Sequence, residues 1–280
     1  MDLRQPHISR RTIAFAVAVA GTVSLAIGAH AALNKRMFDT PKGTVVAGAT
    51  GSIPTGTSRL ALIIGNGHYP DASAPLAQPI NDARTLSSAL RREGFDVDVV
   101  EDATKDDMFR AVERMKAKIR PDTVVMLFFG GYGVQVGRES YMIPVDATIW
   151  KEADVKRTGV SVESVLDAMK ERGAKAKLVV LDASRRNPYE RRFRAFSHGL
   201  APISPPENTI VLSSATPGKV ADDGKGTNSV LVSELLNNLN AQAGAETAFN
   251  KTRVAISRAS EGEQVPSVSS SLLEDIKLGG

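Results

Sequence analysis

Residues 122–133 read DTVVMLFFGGYG, an unbroken apolar run that ends in glycines. Such a run, bounded by turn residues, is typical of a strand buried on both faces of a sheet. The pattern recurs in AKLVVLDASRRNP, where the run at 178–181 ends in Asp182-Ala183-Ser184. Sites in open α/β sheets lie outside the carboxyl ends of the strands. The sequence therefore predicts an α/β domain that presents Tyr132 and Ser184 at one sheet edge.

The remaining segments alternate between strand and helix patterns. The predicted strands lie at 59–65, 95–100, 208–213 and 266–272, and a hairpin over 133–147 has Gly137 at its tip. The predicted helices run from a cap at Asn81 or Asp82 to 92, from Thr104 to 119, from Ser161 to 171, and over 228–240 and 246–258. This succession predicts an open, mostly parallel sheet with helices on both faces.

Composition limits the function before any motif is considered. The chain has 280 residues and 42% apolar content, enough for one sizeable α/β domain with a tail. Its 35 basic and 31 acidic residues nearly balance, which gives no indication of a nucleic-acid partner. Because the chain contains no cysteine, disulfides, thiolate metal sites and a cysteine nucleophile are excluded.

Five segments resemble the caspase-like cysteine peptidases, the clan of caspases, metacaspases and bacterial orthocaspases. They are RLALIIGNGHY (59–69), PINDARTLSSALRREGFDV (79–97), GVQVGRESYMIPVDA (133–147), LDASRRNP (181–188) and ATPGKVADDGKGTNS (215–229). In that family one strand ends in Gly-His-Gly, which carries the base, and another in Asp-x-Cys, which carries the nucleophile. The resemblance implies a caspase-like fold in a bacterial member, with Tyr132 at the histidine position and Ser184 at the cysteine position.

The two substitutions change the expected chemistry. An alcohol nucleophile needs a base within hydrogen-bond reach, whereas a thiol ionises far more readily. A phenol with a pKa near 10 is only about one part in a thousand ionised at neutral pH, and ionising it first costs about 4 kcal/mol. The pair Tyr132 and Ser184 is therefore predicted to be catalytically inactive.

Other positions keep the pattern of a binding pocket. The resemblance implies that the backbone amides of Gly133 and Ser184 form an oxyanion hole. It also implies that Asp82 and Asp182 line a pocket for a basic Arg or Lys side chain, as in metacaspases and orthocaspases, with Gly130 at a position that can be serine there. The residues alone allow a structural role for each carboxylate. Asp82 is suited to cap a helix, and Asp182 is suited to accept hydrogen bonds from loop amides.

Two further features leave alternatives open. His68, just past the first strand, is an alternative base for Ser184, although a lone loop histidine is usually only solvated. The arginines after Ser184 form either a solvated face or a surface for an acidic partner or anionic headgroups; they are Arg185, Arg186, Arg191, Arg192 and Arg194.

No metal or other cofactor is expected from the residues. Asp222-Asp223-Gly224 resembles a fragment of a calcium loop but lacks the spacing of a binding loop. Calcium therefore stays a candidate only through the resemblance, because a metal takes part in the activation of some relatives.

The amino-terminal segment, residues 1–33, has the pattern of a membrane anchor or a secretory signal. Arg10 and Arg11 precede residues 12–34, which contain no formal charge. The length of this run favours an uncleaved anchor, while Ala29-His30-Ala31 suits signal cleavage. Either interpretation places the domain in the periplasm of a bacterium, attached to the inner membrane or secreted.

The sequence thus divides into that segment, a flexible linker over 34–58, a caspase-like domain over 59–273 and a tail over 274–280. The predicted function is that of an inactive peptidase homologue which binds a protein or peptide at the former cleft. Two alternatives remain: a hydrolase that cleaves after basic residues through Ser184 with an unusual base, and a structural envelope protein.

Overall fold

The computed structural model describes residues 58–72, 75–189, 192, 198–221, 224–240 and 242–279. The predictions for the anchor or signal and for the linker lie outside these residues. Within the described part, no helix is both long enough and apolar enough to cross a membrane.

Nine strands and six helices follow one another along the described chain. The strands are β1 (Arg59–Gly65), β2 (Asp96–Glu101), β3 (Val124–Gly130), β4 (Gly133–Val136), β5 (Glu139–Met142), β6 (Val160–Ser161), β7 (Ala176–Asp182), β8 (Thr209–Ser213) and β9 (Ser267–Ser270). The helices are α1 (Pro79–Arg92), α2 (Lys105–Lys118), α3 (Glu152–Thr158), α4 (Val162–Glu171), α5 (Val230–Asn238) and α6 (Ala245–Ala259).

The central sheet has the strand order β2-β1-β3-β7-β8-β9. All neighbouring strands are parallel except β9, which runs antiparallel to β8. Every residue of β3 and β7 is buried, whereas β2 at the edge is only partly covered. The mostly parallel α/β sheet is therefore confirmed, with the fully buried strands β3 and β7 at its centre.

Alternate residues of each strand enter two different cores. Leu62 of β1 packs in a cluster with residues of α2 and α4, whereas Ile63 packs with residues of α1, α5 and α6. This alternation follows from the two-residue period of a strand. The sheet is consequently covered by helices on both faces.

Several predicted helix starts are confirmed by side-chain caps. The Thr104 side chain accepts a hydrogen bond from the Asp107 amide, and the Asp107 carboxylate in turn accepts one from the Thr104 amide. The Ser161 side chain accepts a hydrogen bond from the Ser164 amide at the start of α4. Such caps satisfy amides that have no partner within the helix.

The predicted cap of α1 is wrong. The helix begins at Pro79, with Gln78 at the cap position, so Asn81 and Asp82 lie inside the first turn. Proline suits this position because its missing N–H would have had no partner there. The Asp82 carboxylate instead accepts a hydrogen bond from the Ser229 amide at 2.9 Å, at the start of α5.

A second, three-stranded sheet of order β4-β5-β6 extends the first at its carboxyl edge. Its hairpin with Gly137 at the tip was predicted, and Gly137 has a left-handed φ of 64°. The short elements α3 and β6 were not predicted. The segment EADVKRT of α3 contains a single large apolar residue, Val155, and two residues are too few for a strand pattern.

Candidate functional site

The ends of β3 and β7 lie side by side at the carboxyl edge of the central sheet. Gly130 pairs in register with Asp182. Beyond the strands, the Gly131 amide donates to the Asp182 carbonyl at 3.2 Å and the Gly133 amide donates to the Ala183 carbonyl at 3.0 Å. These bonds hold the loops that carry Tyr132 and Ser184 against each other, as the two apolar runs predicted.

Ser184 is enclosed by its neighbours. The residue is 1% exposed, and its hydroxyl oxygen has no hydrogen-bond partner in the described structure. Its amide donates to the Ser214 hydroxyl at 3.3 Å, and its carbonyl accepts from the Ala221 amide at 2.6 Å. Gly199 passes over it, since a Cβ built there would lie 3.5 Å from the Ser184 Cβ. Among the described residues, the hydroxyl therefore has no imidazole or carboxylate within hydrogen-bond distance.

Tyr132 is packed as a core residue. It is 6% exposed, and its ring lies edge-on to the Tyr69 ring with the centroids 4.9 Å apart. Its amide donates to the Tyr69 hydroxyl at 3.1 Å, and that hydroxyl donates to the Ile143 carbonyl at 3.0 Å. Burial raises the pKa of the Tyr69 phenol above its ordinary value. Two buried tyrosines thus pack against each other beyond the end of β3.

Asp82 and Asp182 form the acidic side of the site. They are 0% and 2% exposed, and in both carboxylates the Oδ2 atom has no hydrogen-bond partner in the described structure. Burial, followed by the negative charge of Asp182, raises the pKa of Asp82 to about 7. Two buried oxygens that lack donors are costly unless a ligand supplies them. The pair is therefore the feature of the site that most clearly points to a missing cationic group.

Arg185 gives Asp182 its only partial neutralisation within the described chain. The residue is 4% exposed, and its Nη1 atom lies 3.6 Å from the Asp182 Oδ1 atom. The same Nη1 donates to the carbonyls of Asp182 and Gly131, the latter at 3.0 Å. The guanidinium thus ties the ends of β3 and β7 together.

The interpretation of the arginine run as a solvated face is wrong for two of its members. Arg185 is buried in the site. Arg192 ion-pairs with Asp71 at 2.5 Å, donates to the Ile149 carbonyl at 2.9 Å and lies 4.3 Å from the centroid of the exposed Trp150 ring. Arg186 is exposed. Arg191 and Arg194 lie outside the described residues.

The two amides assigned to an oxyanion hole both donate within the protein. The Gly133 amide bonds the Ala183 carbonyl, and Leu200 lies close enough that a Cβ on Gly133 would come within 2.5 Å of its Cδ2. The Ser184 amide bonds Ser214. A substrate carbonyl would have to replace both bonds. Gly130, at the end of β3, faces the Phe128 ring, 3.2 Å from a Cβ built there.

His68 is held away from Ser184 by a partner that the sequence analysis missed. Its Nδ1 lies 2.6 Å from Asp102 Oδ2, and the amides of Gly67 and His68 donate to Asp102 Oδ1 at 2.9 and 3.0 Å. Burial raises the pKa of Asp102, but these bonds outweigh it and the pKa is lowered overall. Since β1 and β7 are two strand spacings apart, about 10 Å, this pair belongs to a different part of the edge.

Gln78 is a second site residue that the sequence analysis missed. Its Nε2 donates to the carbonyls of Gly224 and Gly226 at 2.5 and 2.9 Å, which fastens the loop before α5 to the start of α1, the helix that carries Asp82. Asn81 adds a bond to the Asn228 side chain at 2.9 Å. In the sequence, the available signal was that Gln78 and Asn81 shortly precede Asp82 at the start of a predicted helix. That position does not reveal that Gln78 bonds a residue 146 positions further along the chain.

No group of three or more His, Asp or Glu side chains is placed to hold a metal ion within the described residues. Asp222 and Asp223, the fragment that resembles a calcium loop, lie outside those residues.

Comparisons with known proteins place this chain in a family. A family model described as the caspase domain matches residues 58–277. The human protein named mucosa-associated lymphoid tissue lymphoma translocation protein 1 is 28% identical over 138 residues, and its mouse homologue is 29% identical over 141 residues. Each alignment covers 49% of this chain but only 16% of the relative. Since the family model covers well over half of the chain, the protein belongs to the caspase domain family.

Proposed function

We propose that this protein is a non-catalytic member of its peptidase family, which binds a protein or peptide partner through a basic side chain held by Asp82 and Asp182. The proposal has two parts, inactivity and binding, and each is supported by a different side of the same cleft. The observation that carries it is the unpartnered Ser184 hydroxyl beside two unpartnered carboxylate oxygens.

Inactivity is supported by the surroundings of Ser184. A serine nucleophile requires a base that takes its proton during attack. The hydroxyl has no hydrogen-bond partner in the described structure, and the imidazole of His68 is engaged with Asp102 two strands away. Losing a member of a catalytic triad leaves only about 10³–10⁴-fold acceleration over water, and both family positions are substituted here.

Binding is supported by the acidic side. Buried carboxylates are costly unless they are paired, and Arg185 lies near only one of the two, at 3.6 Å from Asp182 Oδ1. A Lys or Arg side chain would supply donors to both free Oδ2 atoms. The relatives align over only a sixth of their own length, so their names do not indicate a binding partner for this chain.

We further propose that residues 1–33 keep the domain at a bacterial inner membrane or deliver it to the periplasm.

Turnover and binding can be measured separately on the full 280-residue chain. We expect no hydrolysis of fluorogenic peptides ending in Arg or Lys, with or without calcium; turnover that Ser184→Ala abolishes would establish the hydrolase alternative instead. For binding, we expect acetyl-arginine amide to bind and acetyl-norleucine amide to fail, because only the first brings a cation.

A matched pair of variants tests whether the ligand binds at Asp182. Asp182→Asn should weaken acetyl-arginine amide at least tenfold. Glu163→Gln changes another partly buried carboxyl, which bonds the Ser140 amide away from the cleft, and should leave binding unchanged. Equal binding of both amides would refute an acidic pocket that recognises a cation. The protein would then be better explained as a structural envelope protein.

A further inference from the structure

We propose that the pocket exchanges a proton on Asp82 for the cationic side chain of its ligand, so that occupancy is set by pH near neutrality. This inference rests on the proposed binding function and specifies how that site is regulated. In the exchange, the neutral Asp82 carboxyl releases its proton to solvent while the ligand's ammonium or guanidinium group takes the place of that proton.

The geometry leaves Asp82 without a positive partner in the described structure. Its Oδ1 accepts the Ser229 amide at 2.9 Å, and its Oδ2 has no donor, although the residue is completely buried. A buried carboxylate oxygen without a donor is costly, and either a proton or a cation at that oxygen removes the cost. Both occupants satisfy the same atom, which is why they compete.

The groups that act on Asp82 come from other elements of the fold. Asp182 at the end of β7 is negative and opposes ionisation of Asp82. Arg185 follows it and makes its ion pair with Asp182. The start of α5 contributes the amide of Ser229, and the neighbouring Ser229 and Asn228 side chains lower the pKa of Asp82. On α1 itself, Arg84 is engaged with Glu101.

This arrangement keeps a proton on Asp82 at a pH where an ordinary aspartate has lost it. Burial and the charge of Asp182 raise the pKa of Asp82 to about 7. A cation beside Oδ2 opposes both effects, because it favours the ionised carboxylate. Ligand binding near pH 7 should thus expel a proton, and lowering the pH should expel the ligand.

Calorimetry on the full chain with acetyl-arginine amide tests this exchange. Titrations at pH 7 in buffers of different ionisation enthalpy should show release of about half a proton for each ligand bound. The ionised fraction of a group with a pKa of about 7 rises about 30-fold between pH 5.5 and 8, so the affinity should rise by a similar factor.

Two variants test whether the released proton comes from Asp82. Asp82→Asn should abolish both the release and the pH dependence, because it removes the titrating group while keeping a side chain of the same shape. Glu163→Gln should change neither, although burial also raises the pKa of Glu163. Proton release is measured on the unaltered protein, so the test survives if Asp82→Asn fails to fold.

The possible failures are distinguishable. Binding with unchanged affinity from pH 5.5 to 8 and no proton release would overturn the exchange and leave the proposed function intact. Absence of binding at every pH would overturn both. Proton release that persists in a folded Asp82→Asn protein would reject Asp82 as its source.

Discussion

Two regions of the carboxyl sheet edge carry side chains that a serine hydrolase would need in contact, and the described structure holds them on different strands. Beyond β1 and β2, His68 and Asp102 form an imidazole–carboxylate pair at 2.6 Å, with the His68 side chain 75% exposed. Beyond β3 and β7, the Ser184 hydroxyl is buried without a partner. A triad needs its hydroxyl and imidazole in contact. In the described structure, the His68 imidazole and the Ser184 hydroxyl follow different strands of the sheet, and the hydroxyl has no hydrogen-bond partner.

The largest expected effect comes from placing a base and a thiol at the ends of β3 and β7. The double variant Tyr132→His and Ser184→Cys places a base and a thiol on the adjoining loops after β3 and β7. A positioned general base typically contributes about 10²–10⁴-fold, so peptidase activity after Arg or Lys should rise at least about 100-fold over the unaltered chain. Fluorogenic peptide assays measure this gain, with each single variant as the control. A folded but inactive double variant would indicate that the cleft no longer admits a substrate.

The second prediction concerns what holds the two central loops together. Arg185→Ala leaves Asp182 buried without its cation and removes the donor to the Gly131 carbonyl. Breaking a buried pair in this way costs about 3–5 kcal/mol, which denaturant unfolding would detect as a lower free energy of unfolding. Arg186→Ala, one residue away and exposed, should stay within about 0.5 kcal/mol. Equal effects of the two substitutions would show that the burial of Arg185 contributes nothing.

Those two arginines also show where the sequence stops being informative. The buried strands and their shared edge were predictable, because the apolar runs within β3 and β7 are typical of strands buried on both faces. A run of arginines predicts solvent exposure, whereas in the structure the carbonyls at the two strand ends, together with Asp182, accept or pair with the buried Arg185 guanidinium.

The partner of His68 was hidden for a different reason. Asp102 lies 34 residues further along the chain, and the two meet because β1 and β2 pair in parallel with Gly65 opposite Glu101. Strand order and register are long-range properties that local patterns do not specify. The same holds for Gln78 and the loop before α5. The sequence therefore predicts which residues reach the edge better than it predicts which of them meet.

The third prediction concerns how Asp82 makes the free energy of unfolding depend on pH. The pKa of Asp82 is raised to about 7 in the folded protein, so the folded state binds this proton more tightly than the unfolded chain does. Its stabilising contribution is complete below pH about 4 and is lost as pH rises through about 7. Asp82→Asn should therefore narrow the difference in the free energy of unfolding between pH 5 and pH 8. An unchanged difference would show that Asp82 titrates normally.

The smallest effect is expected at the exposed half of the edge, and it tests the separation itself. His68→Ala removes an imidazole that is largely solvent-exposed and bonded only to Asp102 among the described side chains, so the free energy of unfolding should fall by no more than about 1 kcal/mol. Asp102→Ala should cost more, because the Gly67 and His68 amides lose their acceptor too. Any hydrolysis detected in the unaltered chain should survive His68→Ala. Loss of such activity in this variant alone would mean that His68 reaches Ser184 in solution, and the two halves of the edge would then have to be regarded as one site.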